Sequence, residues 1–165
     1  MSTSGKLKKI SGWIRNNKKD ISVVVAWIVT VTLILSRSYW LFYEYLNVKF
    51  PGVIYCGWEA PSLSEIDSLL LLVSSFIAGM MLSDISQIIY GYLISMLLSS
   101  SITIISIVLY RWFIQRGWFI LVAYGWESLL YYVFTNIFWM MIPMGILCSF
   151  LGVLLGGLLK QWLYL

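Results

Sequence analysis

The chain contains no histidine and only two cysteines. The absence of histidine excludes His-ligated haem, the HExxH zinc site, the Ser-His-Asp triad and the Cys-His dyad. Cys56 and Cys148 are too far apart in the sequence to make a CxxC pair, so we expect neither a metal site nor a cofactor. The chain also lacks a P-loop, a GxSxG elbow and a GxGD-type aspartate pair. These absences favour a protein that is not an enzyme.

Charge is scarce as well. Charged residues make up 11% of the chain and apolar residues 61%, whereas an ordinary soluble domain has about 25% charged and roughly 45–50% apolar residues. A soluble fold of this size needs a polar surface that this composition cannot supply. The composition therefore predicts an integral membrane protein.

The apolar runs predict an all-α, polytopic membrane helix bundle with four transmembrane helices in one domain, residues 21–165. Arg37 and the aromatic residues after it end the first run, and the short polar stretch around Asp84 separates the second run from the third. Ser62 and Glu65 have the spacing of a capping box before the second helix. The predicted helices lie near 21–43, 63–82, 88–110 and 136–159, with external aromatic loops at 44–62 and 111–135.

The stretch 117–135 allows two interpretations. As a membrane span it would place Glu127 near the middle of the bilayer, which is costly unless the carboxylate is paired. As an interfacial or re-entrant segment it keeps Glu127 in contact with water, and we adopt this second interpretation. In the last apolar run, Pro143 predicts a kink.

Residues 1–20 form a basic leader, in which six of the eleven basic residues precede Asp20. Because the leader adjoins an apolar run, it is typical of a cytoplasmic segment on anionic lipid and not of a nucleic-acid-binding site. Four crossings would return Lys160 to the same side, which puts seven basic residues inside and four outside, in agreement with the positive-inside rule. We expect a multi-pass protein of the cell membrane with a cytoplasmic N-terminus.

The tripeptide Gly-Trp-Glu occurs at 57–59 and again at 125–127. The same offset of 68 residues aligns the first predicted helix with the third and the second with the fourth. One interpretation is that the chain consists of two repeated helical hairpins. The other is that the tripeptide recurs by chance, since tryptophan is abundant in this chain. Carboxylates beside arginines could hold a lipid phosphate, or they could form a hydrated rim to which Glu65 and Asp67 also belong. The candidate external charged and aromatic site consists of Trp58, Glu59, Trp126, Glu127, Arg37 and Arg111.

Small residues in the last helix form a possible packing face. Gly152 and Gly156 have GxxxG spacing, and with Gly145 they would let a second backbone approach closely, either in this chain or in another subunit. The serines of the third helix are expected to bond to their own backbone one turn back, and a polar pore lining is the alternative.

Together these features favour a non-catalytic accessory or scaffold subunit of a membrane complex. Its expected partners are the bilayer and either other subunits or further copies of the chain. The alternatives are a small channel or carrier that works as an oligomer, and a membrane enzyme that acts on lipids.

Overall fold

The computed structural model describes residues 18–49, 62–113 and 118–163, and all regular secondary structure within these ranges is helical. The predicted all-α class is therefore confirmed. The elements in chain order are α1 (Lys18–Lys49), α2 (Glu65–Met81), α3 (Ile85–Phe113), α4 (Trp118–Met140), a π-helical segment (Met141–Gly145) and α5 (Ile146–Leu163).

Helix α1 is longer than the predicted span near 21–43. It continues through Arg37 and the aromatic residues after it to Lys49, because neither glycine nor proline occurs between Lys18 and Lys49. The first proline after α1 in the sequence is Pro51, and a proline disfavours helical conformation in the residue that precedes it. The aromatic residues at 39–43 consequently lie on a helix, and their spacing along that helix decides which of them face neighbouring helices.

The start of α2 differs from the predicted capping box. Ser64, not Ser62, is the N-cap: its backbone is extended (φ −65°, ψ 156°), and its Oγ accepts a hydrogen bond of 3.1 Å from the backbone N–H of Asp67. Both Ser62–Glu65 and Ser64–Asp67 fit the spacing of a capping box. The second pair is used because Asp67 points to α1, where it finds hydrogen-bond donors.

The predicted external loop at 111–135 is largely helical in the structure. Helix α3 continues to Phe113 and α4 begins at Trp118. The backbone of α4 bends at Gly125, which has φ 77° and ψ 173°, a conformation that residues with a side chain rarely adopt. Glu127 lies two residues after this bend and is exposed.

The predicted kink at Pro143 is confirmed. Ile142 is extended (φ −109°, ψ 128°) and interrupts the helix between α4 and α5, as expected for a residue before proline. At an offset of 68 residues, α2 would correspond to 133–149, which contains this break, while α2 itself is uninterrupted. The second helix of each half therefore does not follow the repeat that the two tripeptides suggested.

Helices α2 and α3 are joined by the short turn Leu82–Asp84 but do not pack side by side. Helix α2 packs on α5 and α1, and α3 packs on α1 and α4 with a smaller contact to α5. The contacts along α1 show the directions: Asp20 lies beside Ser83 and Ser38 beside Asp67, so α2 runs antiparallel to α1. Helix α3 runs parallel to α1.

The closest helix contact joins α2 to α5 through glycines. A Cβ atom added to Gly152 would lie 3.1 Å from the backbone N of Phe76 and would clash with the carbonyl oxygen of Leu72. On α2, Gly79 lies in the same way against the backbone of Val153. Gly156 meets Phe76 likewise, while Gly145 lies against the side chain of Leu63. The predicted packing glycines thus lie against another helix of this chain, where dispersion between backbones holds the helices together.

Among the residues that the structure describes, three stretches are long and apolar enough to cross a membrane: Lys18–Tyr45, Ile85–Phe113 and Gly125–Leu163. Helix α2 is shorter, and its 17 residues rise about 26 Å, slightly less than the roughly 30 Å of a bilayer core. The outer surface is apolar too, since Leu93, Leu97 and Ile105 of α3 are each about half exposed or more.

Candidate functional site

The structure does not gather the predicted external site into one place. Trp58 and Glu59 lie outside the described residues. Trp126 and Glu127 are exposed on α4. Arg37 contacts α2, whereas Arg111 of α3 contacts α1 and α4. The two arginines therefore form two separate centres.

The Arg37 centre consists of Arg37, Ser38, Ser64 and Asp67. The Arg37 Nη1 donates to Oδ1 of Asp67 at 2.6 Å, and the hydroxyls of Ser38 and Ser64 donate to Oδ2 at 2.6 Å and 2.8 Å. The Asp67 side chain is fully buried, and the Arg37 side chain is 49% exposed. The buried carboxylate is thus fully engaged by a cation and two hydroxyls.

Local sequence explains why this centre forms. Asp67 lies in the first turn of α2, where the helix dipole and the free N–H groups favour a negative charge. Arg37 and Ser38 are consecutive on α1, and both reach the same carboxylate. The bonds join two helices that are separated in sequence by the connection 50–64. A half-open cavity of about 470 Å³ adjoins the carboxylate, with Leu41 and Phe42 in its apolar wall.

The Arg111 centre consists of Arg111, Tyr39, Tyr43 and Tyr132. The Cζ atom of Arg111 lies 4.2 Å from the ring centroid of Tyr43, 5.6 Å from that of Tyr39 and 5.8 Å from that of Tyr132. The arginine is only 5% exposed. Its Nε has no hydrogen-bond partner, and in the part of the chain that the structure describes it forms no ion pair.

One further buried polar atom of this centre has no partner, the hydroxyl of Tyr39, whose ring contacts the guanidinium. Nδ2 of Asn136, one turn after Tyr132 on the buried face of α4, is also without a partner. Each arginine–ring contact contributes roughly 0.5–2 kcal/mol, but a ring face does not replace oxygen acceptors for the five guanidinium N–H groups. The charge of Arg111 is therefore only partly compensated.

An aromatic cleft of about 580 Å³ lies between α1 and α3. Its lining includes Trp40 and Tyr43 of α1 and Tyr110 of α3. The ring of Trp40 makes edge-to-face contacts with Tyr43 at 5.8 Å and with Tyr110 at 5.1 Å. Glu44 and Ser106 add polar groups to the lining. This cleft has the composition of an interfacial aromatic belt.

The opposite end of the bundle carries a third polar cluster. Asp20 accepts from the backbone N–H of Ser83 at 3.1 Å and from its hydroxyl at 2.9 Å. Lys160 donates to the carbonyl oxygens of Leu82 and Ser83. These bonds join α1 and α5 to the end of α2 and satisfy carbonyl groups that a helix C-terminus leaves free.

Sequence reasoning identified both arginines but not their surroundings. It placed Asp67 on a hydrated rim, whereas the structure buries it. The spacing of Ser64 and Asp67 was the available signal for that site. For the second centre the signal was the four-residue spacing of Tyr39 and Tyr43, which puts both rings on one face of a helix. The contact of Tyr132 with Arg111 had no local signal.

Within residues 18–49, 62–113 and 118–163, no group of three or more histidine, cysteine, aspartate or glutamate side chains is placed to hold a metal ion. No protein-family model matches the chain, and searches of curated proteins and of solved structures gave no match.

Proposed function

We propose that this chain is a non-catalytic multi-pass protein of the cell membrane that crosses the bilayer four times and serves as an accessory or scaffold subunit of a membrane complex. The N-terminus would be cytoplasmic, since six of the eleven basic residues precede Asp20. The proposal is supported by the path of the chain through the bundle, by how its polar groups are used, and by one exposed surface.

The contacts of α2 support its being a crossing despite its short length. Its first turn bonds to Ser38 of α1, and the residue Ser83 after its end bonds to Asp20 of α1. The stretch of α1 from Asp20 to Ser38 rises about 27 Å, close to the thickness of a bilayer core. A helix that extends over this height beside α1 passes from one side of the membrane to the other.

The contacts along α3 support a single broken crossing for α4 and α5. Tyr132 contacts Arg111, Met141 Sδ lies 2.7 Å from the hydroxyl of Ser100, and the carbonyl of Ile146 accepts from Tyr92 at 3.2 Å. Positions increase along α4 and α5 while they decrease along α3. The two helices therefore descend beside α3 in one passage, interrupted at Ile142.

Most polar side chains of α3 are occupied inside the helix, which disfavours a polar conduit along it. Ser99, Ser101 and Thr103 donate to backbone carbonyls three or four residues earlier. This confirms the bonding that the sequence predicted. Ser95 and Ser106 do the same.

The observation that carries the scaffold role is an exposed row of aromatic residues on α4. The α4 aromatic ridge consists of Tyr131, Phe134, Phe138 and Trp139, which are 72%, 51%, 48% and 50% exposed. The rings of Phe134 and Phe138 stack at 6.1 Å. Aromatic side chains are the residues most enriched at the energetically important centres of protein interfaces. A lipid-facing helix needs only aliphatic residues, and the large exposed apolar side chains of α3 between Leu93 and Leu109 are all leucine or isoleucine.

The test is purification of the tagged protein in mild detergent, followed by identification of co-purifying polypeptides. We expect a defined partner with the wild type and a loss of at least tenfold when Tyr131 and Phe138 are both replaced by leucine. The matched control is Ile105→Leu on the exposed face of α3, which should retain the partner. Equal recovery with all three proteins would contradict a partner contact at the ridge.

A small channel or carrier is the second candidate, and the observation that favours it is the buried, partly compensated Arg111. An ionisable group buried in a membrane protein is often part of a transport path. Ion or solute flux into liposomes that contain the purified protein, abolished by Arg111→Met, would favour this candidate over the scaffold.

A further inference from the structure

We propose that the Arg111 centre is a binding site for a phosphate group, carried by a phospholipid headgroup or present as free phosphate. The inference depends on the membrane placement proposed above but not on the scaffold role. It begins from the mismatch between the charge of Arg111 and the groups that surround it.

Burial makes the lack of hydrogen-bond acceptors around Arg111 energetically costly. Arg111 is 5% exposed and its Nε is buried, so water does not replace the hydrogen bond that this N–H makes in solution. The guanidinium contacts three aromatic rings, and its Nε has no hydrogen-bond partner. A buried charge is stable when an opposite charge or several hydrogen-bond acceptors accompany it. An oxyanion in the plane of the guanidinium would provide both.

Two unpartnered atoms belong to the centre itself. Nε of Arg111 can only donate, and the hydroxyl of Tyr39 can donate or accept. A buried donor and a hydroxyl with no acceptor beside them describe the complement of an anion. Arginine favours phosphate among anions because its N–H groups match two phosphate oxygens at once.

The position of the centre in the bundle fits a headgroup. Arg111 lies in the last turn of α3, two residues before Phe113. The neighbouring residues Tyr110 and Trp112 are exposed, as in the aromatic belt at the level of lipid headgroups. Glu127, five residues before Tyr132, lies about 7.5 Å further toward the same end of the bundle. The centre is therefore close to the membrane surface and not at mid-bilayer.

The enclosure of Arg111 also limits what can bind. Side chains of α1 and α4 cover it, namely Tyr39 and Tyr43 from one helix and Tyr132 from the other. A helix of a partner protein has no room to insert a carboxylate between them. Of these two oxyanions, a phosphate at the end of the bundle requires less space than a carboxylate carried on a helix.

The experiment measures unfolding midpoints of the purified full chain in phospholipid-free detergent. Phosphatidylglycerol, phosphatidylcholine or inorganic phosphate is titrated in, with sodium chloride at equal ionic strength as the reference. The variants are Arg111→Met, Arg111→Lys and the control Lys19→Gln, which removes one exposed positive charge from the other end of the bundle.

We expect phosphate-containing additives to raise the midpoint of the wild type and of Lys19→Gln. Arg111→Met should lose this response, with an apparent affinity at least about tenfold lower. A response to phosphatidylglycerol alone identifies a headgroup as the source, and an equal response to inorganic phosphate identifies the free ion. The same stabilisation of Arg111→Met and wild type, or a response no larger than that to chloride, would overturn the proposal.

If Arg111→Met does not fold, Arg111→Lys decides. Lysine keeps the charge but loses the two-pronged geometry, so its apparent affinity should fall about tenfold. Unchanged affinity would show that general attraction to positive charge, and not this centre, binds the anion. Without any additive, a folded Arg111→Met should be at least as stable as the wild type, whereas a purely structural arginine would make it less stable.

Discussion

The two arginine centres lie on different sides of α1 near the same end of the bundle, yet the chain treats their charges in opposite ways. Arg37 is 49% exposed and reaches a carboxylate that two hydroxyls also contact. Arg111 is 5% exposed and faces tyrosine rings. The charge of Arg37 keeps part of its hydration and is paired with a carboxylate. The charge of Arg111 loses most of its hydration and gains only the weaker attraction of aromatic rings.

The difference shows that an arginine after an apolar run has no single meaning in this chain. What decides is the helix that comes to lie opposite it. Helix α2 brings the N-terminal turn with Asp67 to Arg37, whereas α4 brings Tyr132 to Arg111. The Arg37 centre therefore joins two helices, and the Arg111 centre is left with the capacity to bind a further group. The following variants test this contrast.

Replacement of Asp67 by alanine should have the largest effect. It removes the shared acceptor of Arg37, Ser38 and Ser64, and we expect the unfolding free energy in detergent micelles to fall by about 3 kcal/mol. The value is at the lower end for a broken buried pair because water can reach part of Arg37. Glu65→Ala, at an exposed position in the same turn, is the control. Equal losses for both variants would remove the basis of the comparison.

Gly156→Ile should disturb the Arg37 centre and leave the Arg111 centre unchanged. The added side chain meets the backbone of Phe76 and pushes α2 from α5, at a cost of about 2 kcal/mol. Because α2 carries Asp67, peptides around Ser64–Leu71 should exchange backbone hydrogens faster, and those around Arg111 should not. Leu155→Met, at the adjacent exposed position, should leave both unchanged. Faster exchange at Arg111 alone would contradict the assignment of α2 to the first centre.

Ser64→Ala tests how far the helix cap contributes to the Arg37 centre. It removes the N-cap acceptor for the N–H of Asp67 and one donor to its carboxylate, so we expect a loss of about 1 kcal/mol in unfolding free energy. Ser62→Ala is the matched control, since Ser62 would be the N-cap if the pair Ser62–Glu65 formed the capping box. A larger loss of unfolding free energy at Ser62 than at Ser64 would favour that pair instead.

Tyr43→Leu should have the smallest effect. It removes the ring nearest to the Arg111 guanidinium, and we expect a loss of about 0.5–1 kcal/mol in unfolding free energy. Tyr43→Phe keeps the ring and should be close to wild type. In a protein that already carries Arg111→Met, the effect of Tyr43→Leu should shrink, which a double-mutant cycle measures. An unchanged effect would mean that the ring contributes packing only.

Several features of the fold followed from local sequence. Pro143 predicted the break at Ile142. The first helix was predicted near 21–43, and it extends beyond both of these bounds to Lys18 and Lys49. The serine hydroxyls of α3 bond to their own backbone as expected, because a helix offers a carbonyl within reach whatever surrounds it. The helical conformation of 118–135 was missed because the cost of placing Glu127 near the middle of the bilayer favoured an interfacial or re-entrant segment.

What the sequence by itself determined is the class of protein: apolar helices, their breaks, and the placement of charge at their ends, all of which depend on neighbours within a few residues. The tertiary structure alone decided that α2 and α3, though joined by a short turn, pack on other helices, and that Asp67 meets Arg37 while Tyr132 meets Arg111. The glycines of α2 and α5 allow the backbones of these two helices to touch. This contact limits the positions that the other helices can take around α1. Such choices depend on the combined fit of all helices, because each pairing gains its free energy only when the others are in place.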